Sequence, residues 1–134
     1  MSIRYSSESV ISGAQFVAVL NASTLGERRP VEDLARMQTM IDNADLIVTA
    51  WDGAKLIGVA RTITDWSYAA YLADLAVDQS YQKQGIGRQL IAVTREKLGA
   101  QCSLVLLAAP AAADYYAKVG FDWIENGWQI KRTN

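Results

Sequence analysis

The sequence predicts an α+β fold, a mixed and mostly antiparallel sheet of about six or seven strands flanked by about four helices, and three observations carry the prediction. An apolar strand, Tyr68–Val77, runs through the glycine loop Gln82-Lys83-Gln84-Gly85-Ile86-Gly87 straight into an amphipathic helix. Three strand candidates follow one another at Leu46–Trp51, Leu56–Ile63 and Tyr68–Val77, with Asp52-Gly53 as a two-residue turn signal between the first two. Ser103–Ala109 is a continuous apolar run, the pattern of a strand covered on both faces, and is expected parallel to the strand before the helix.

The elements read in order as β-α-α-β-β-β-α-β-α-β-β. Ser2–Ser6 forms a short strand, and Val10–Leu20 carries apolar residues at mostly helical spacing. Asn21–Pro30, with Gly26 and two arginines, is a loop; Pro30 then opens a second helix through Ile41, with Leu34, Met37, Met40 and Ile41 as its stripe. The best helix is Gly85–Leu98. Ile86, Leu90, Ile91, Thr94 and Leu98 share one side, Arg95 and Lys97 lie at the negative end of its dipole, and Gly99 stops it. Pro110–Val119 is a short helix with Gly120 as its left-handed cap. Phe121–Ile130 is expected to close the chain as a hairpin on Asn126-Gly127, with Phe121, Trp123, Trp128 and Ile130 on a shared face.

At 134 residues the chain suits a single domain, 1–134. Its net charge of −1 gives no footprint for sequence-independent nucleic-acid binding, which needs clustered Lys and Arg. The sequence contains no histidine, which removes Ser-His-Asp and Cys-His catalysis and most zinc sites, so no metal is expected. Proton transfer falls to Tyr, carboxylate, Lys, water or backbone. The lone Cys102 reads as a packed thiol. The start of the chain has no signal-peptide core, and the longest apolar run is broken by Pro110 and too short for a bilayer, so a cytoplasmic location without membrane contact is the expectation.

The glycine loop has a physical reading of its own. Gly85 and Gly87 let the backbone turn tightly, and the first helical turn adds unpaired N–H donors and the positive dipole end, which together build an anion pocket. A Walker loop is excluded because no Lys-Ser or Lys-Thr follows a glycine; a dinucleotide loop is excluded because Leu90 stands where the third glycine belongs. The pattern Gln/Arg-x-x-Gly-x-Gly/Ala after a strand, here Gln82 to Gly87, resembles the acyl-CoA pyrophosphate loop of the GNAT superfamily of N-acetyltransferases. Tyr115-Tyr116-Ala117-Lys118-Val119-Gly120-Phe121 is similar to that family's aromatic-Tyr-x-Lys-x-Gly-Phe segment, and the element order matches its fold over nearly the whole chain.

The resemblance implies an acetyl-CoA-dependent N-acetyltransferase acting on the primary amine of a small molecule. The alternatives are a non-catalytic acyl-CoA sensor or a protein N-acetyltransferase. It places pantetheine on the backbone of Leu75, Ala76 and Val77 between splayed strands, with the N–H of Val77 toward the developing oxyanion, and the pyrophosphate on Gln82, Lys83, Gln84, Gly85, Ile86, Gly87 and Arg88. Lys83 and Arg88 either add charge to that cradle or are ordinary solvated side chains. Tyr116 takes the role of proton donor to the leaving sulfur. Asp74 and Asp65 are candidates for the general base, Asp65 also for contact with the acceptor, and Trp51, Trp66 and Tyr68 for walls of an acceptor pocket. Arg28 and Arg29, between the first two helices, suit a carboxylate or phosphate on the acceptor through forked hydrogen bonds, or are solvated surface. One position departs from the family: Ala109 stands seven residues before Tyr116, where many relatives have an asparagine that touches pantetheine. Exposed edge strands and the Trp-bearing hairpin also admit a homodimer.

Overall fold

The computed structural model describes residues 2–134. Five strands, β1 (Ile3–Ser6), β2 (Leu46–Asp52), β3 (Lys55–Thr64), β4 (Ala69–Val77) and β5 (Ser103–Val105), form one sheet in sequential order. β1 through β4 are antiparallel neighbours, and β5 pairs parallel with β4. Four helices complete it: α1 (Gly13–Ser23), α2 (Leu34–Asp42), α3 (Ile86–Leu98) and α4 (Ala113–Lys118). No helix among the described residues is long and apolar enough to cross a membrane.

Both faces of the sheet are covered. On one side α3 inserts Ile86, Leu90, Ile91 and Leu98 against Val48, Ala50, Ile57 and Ala60; on the other α1 and α2 bring Phe16, Leu20, Met37 and Ile41 against Trp51 and Val59. This two-sided cover explains why the middle of β3 is buried without alternation.

Local chemistry shifts several boundaries. α1 begins at Gly13 because Ser12 and Gln15 form a reciprocal capping box, and it runs to Ser23 before Thr24 turns left-handed at φ 76°. α2 begins after Asp33, whose carboxylate accepts from the Arg36 N–H, rather than at Pro30. The β2–β3 turn is centred one residue later than expected, on Gly53 and Ala54, since Asp52 pairs with Lys55.

Two expectations fail at the β5 side. β5 ends at Val105 instead of Ala109, and residues 121–134 form no strand, so the sheet has five strands rather than six or seven. A two-stranded hairpin needs a further strand or helix to lie on, and β5 leaves the sheet after three paired residues. Trp123, Trp128 and Ile130 consequently stand in solvent.

Candidate active site

The opening beside β5 begins with a bulge in β4. Arg61 faces Asp74 and Thr62 faces Leu72, which leaves Ala73 as an extra residue on β4. Side-chain direction flips across it: Ala70 and Leu72 join the α3 side, whereas Ala76 joins the α1–α2 side. Because β4 pairs with β5 only over Ala69–Tyr71, its edge beyond Tyr71 carries no β5 partner. The strands part there around a cleft of about 1060 Å³, lined by Leu72, Ala73 and Leu75 on one wall and by Leu106 to Ala109 and Tyr116 on the other.

At the end of β4 the chain enters the glycine loop. Asp78 caps the turn by accepting from the Ser80 N–H and lies 3.6 Å from the Lys55 ammonium, while the Gln82 amide donates to the Val77 carbonyl and ties the loop to the strand. Lys83 at φ 64° and Gly85 at φ 80° then reverse the backbone twice. Main-chain N–H groups from Lys83 through Arg88 make no hydrogen bond within the protein; the first to be paired is Gln89, to the Gly85 carbonyl. Six successive free donors at a helix N-terminus form the kind of donor set that anions favour. Alanine at position 85 would force a left-handed L-residue, a strain of about 1–2 kcal/mol. If the loop holds a diphosphate, Gly85→Ala is expected to weaken its binding about tenfold, read by calorimetry with coenzyme A as the probe.

α4 is docked against this loop. The Arg88 guanidinium donates to the Lys118 carbonyl at 3.3 Å, and the Tyr115 hydroxyl lies so close to Gly87 that a Cβ there would be 2.6 Å from it. Gly120, at φ 100°, folds the chain back so that the Phe121 N–H donates to the Tyr116 carbonyl and the Phe121 ring meets Tyr116 edge-on at 5.6 Å. Tyr115 abuts Tyr116 from another side at 5.4 Å, also edge-on. Tyr116 is thus fixed, half-buried and facing the cleft, with no hydrogen bond from its hydroxyl to protein. Burial pushes that hydroxyl above the ordinary phenol pKa, neighbouring Tyr115 adds to the rise, and the nearby Arg29 charge offsets part of it.

Asp74 does not face the cleft as a free base. Its side chain is fully buried, with Oδ1 accepting from Arg29 Nε and Oδ2 from Arg61 Nε, each at 2.5 Å. Arg29 also donates from Nη2 to the Ala73 carbonyl that the bulge exposes. Arg29 is thereby a clasp between the α1–α2 loop and β4 rather than a free fork, while Arg28 remains exposed at the cleft rim. Asp65 is not among the residues that line the cleft; its Oδ1 accepts from the N–H groups of Tyr68, Ser67 and Ala69, which hold its pKa low and close the β3–β4 turn. Trp51 is buried and bonded to Thr49, and Trp66 and Tyr68 lie exposed, so none walls the cleft. Of Leu75, Ala76 and Val77, only Leu75 lines the cleft; the Ala76 side chain belongs to the α1–α2 core and that of Val77 packs on the α3 side.

Arg61 carries a signal of its own in the sequence. A lone arginine within the apolar stretch Leu56–Ile63 demands a buried counter-charge, and Asp74 supplies it.

An acetyltransferase (GNAT) domain model matches residues 5–130. The chain belongs to the GNAT acetyltransferase family. It is 34 % identical over 73 residues to GCN5-related N-acetyltransferase 2, chloroplastic, of Arabidopsis thaliana, covering 51 % of this chain and 27 % of that protein. It is 31 % identical over 100 residues to the uncharacterized N-acetyltransferase ycf52 of Gracilaria tenuistipitata var. liui, covering 70 % and 53 %. The chain thus spans about a quarter to a half of the length of these curated relatives. Among solved structures, a probable acetyltransferase of Staphylococcus aureus superposes with TM-score 0.81 at 22 % identity, covering 98 % of this chain and 100 % of that one. An aminoglycoside acetyltransferase from an uncultured soil metagenomic sample, in complex with sisomicin, superposes with TM-score 0.70 at 20 % identity, covering 99 % and 95 %. At those identities the two structures speak to the GNAT fold alone.

Proposed function

We propose that this GNAT domain is an acetyl-CoA-dependent N-acetyltransferase acting on the primary amine of a small molecule. One observation carries the reading: α4, whose Tyr116 lines the cleft with an unbonded, half-buried hydroxyl, is docked through Tyr115 and Lys118 on the loop that carries six unpaired N–H donors. The loop suits a diphosphate, the unpaired β4 edge beyond Tyr71 suits an extended pantetheine arm, and Tyr116 lies where that arm would end. The described residues hold no cluster of His, Cys, Asp and Glu suited to a metal.

The amine nitrogen attacks the thioester carbonyl carbon, forming the C–N bond as the C–S bond breaks. The nitrogen's proton leaves to water in the open cleft. The departing sulfur takes the Tyr116 hydroxyl proton, which solvent then restores. Asp74, clasped by two guanidinium groups, acts by positioning Arg29 and Arg61 and not as the base.

The test is free-thiol release from acetyl-CoA across amino acids, polyamines, aminoglycosides, aryl amines and peptides. Turnover on small amines is expected. Tight acetyl-CoA binding without turnover on any class would instead favour the sensor reading, and turnover confined to peptides the protein-acetylating one.

A further inference from the structure

We infer that Arg61, which lines the cleft, selects acceptors that carry a carboxylate, binding it through its two unbonded Nη nitrogens. The inference rests on the acetyltransferase reading and names its substrate class. Arg61 is only 8 % exposed, its guanidinium lies 6.0 Å from the Phe16 ring centre, and its Nε is committed to Asp74. Neither Nη makes a hydrogen bond to protein, yet neither is sealed away from solvent, and the residue lines the cleft. A buried guanidinium with one edge anchored and the other open is a preorganised fork for a planar oxyanion.

The local charge has the matching sign. One carboxylate, Asp74, serves two guanidiniums, which leaves a net positive charge at the cleft floor. Arg28, Arg36, Lys131 and Arg132 join Arg29 and Arg61 on the walls, opposed by Glu27 and Glu32. With Asp74 included, six positive charges stand against three negative ones there, in a chain whose net charge is −1. A polycationic acceptor would meet repulsion; an amino acid would have its carboxylate drawn to Arg61. Arg61 and Tyr116 line the same cleft, so an anion seated on Arg61 shares it with the proton donor.

The experiment compares matched acceptors, each α-amino acid beside its carboxamide, by thiol release with acetyl-CoA saturating. Wild-type protein is expected to favour the acid in kcat/KM by at least about tenfold. Arg61→Lys retains a charge for Asp74 but loses the fork, and should collapse the acid-to-amide ratio toward one, mainly through KM for the acid, with KM for acetyl-CoA within about twofold. Arg61→Met is a second variant with the same expected collapse. A wild-type ratio of one or less overturns the inference whether or not either variant folds; so does a ratio that both folded variants preserve. Turnover without acid preference defeats only the carboxylate subsite, whereas absence of turnover on every amine, with acetyl-CoA still bound, defeats the acetyltransferase reading and this inference with it.

Discussion

Tyr116→Phe is expected to lower kcat by at least about tenfold, equivalent to some 1.4 kcal/mol of transition-state stabilisation, while coenzyme A affinity stays within about twofold. The substitution removes one oxygen and leaves the ring contacts with Tyr115 and Phe121 intact, so the fold has no reason to change. The hydroxyl has no protein partner to lose. In the proposed mechanism its contribution falls on the departing sulfur, a group that becomes basic only as the thioester breaks. Burial raises its pKa, so it remains protonated and able to donate up to and beyond the ordinary phenol value of about 10. Loss of kcat from this group is expected only above that pH, and Tyr116→Phe should lack that alkaline limb. Steady-state kinetics on any amine that turns over, with calorimetry alongside, checks both statements; near-wild-type kcat would remove Tyr116 from the chemistry.

The second large effect is on stability. Asp74→Asn keeps the shape of the side chain but leaves Arg61, with a side chain 10 % exposed, and Arg29, with one 24 % exposed, facing each other without a counter-charge. Removing one partner of a buried ion pair costs about 3–5 kcal/mol, because the stranded charge cannot recover its hydration. At this chain length that corresponds to a fall in Tm of about 11–18 °C. Asp74→Asn is also expected to loosen the α1–α2 loop, since Arg29 is its clasp to β4. Replacing Arg61 by Met and Asp74 by Asn together should recover part of the loss, as the charge left behind is then the more exposed one. Thermal unfolding of the single and double variants reads this directly; a single variant as stable as the wild type would mean that the clasp contributes nothing.

The glycine loop and the segment ending in Gly120-Phe121 were readable because each compresses a backbone requirement into a few residues: a left-handed turn at Gly85, a close approach at Gly87, a fold-back at Gly120. The α3 stripe was readable for a different reason, since all five of its predicted residues are buried at helical spacing. What stayed hidden depends on distant pairing. Nothing near Asp74 in sequence says that Arg29, forty-five residues earlier, and Arg61, across the β3–β4 ladder, will take both of its oxygens. The bulge at Ala73, which sets where Asp74 points, arises from a register shift between strands and not from a local breaker. The apolar residues of 121–134 carry hairpin chemistry, but a hairpin signal cannot supply the strand it must lie against.

The most direct measurement is calorimetric titration with coenzyme A beside pantetheine, which lacks the diphosphate and nucleotide. If the free N–H groups of Lys83 to Arg88 grip a diphosphate, coenzyme A binds with one-to-one stoichiometry and at least about a hundredfold more tightly than pantetheine. Equal affinity for the two, or no heat with coenzyme A, would contradict the account.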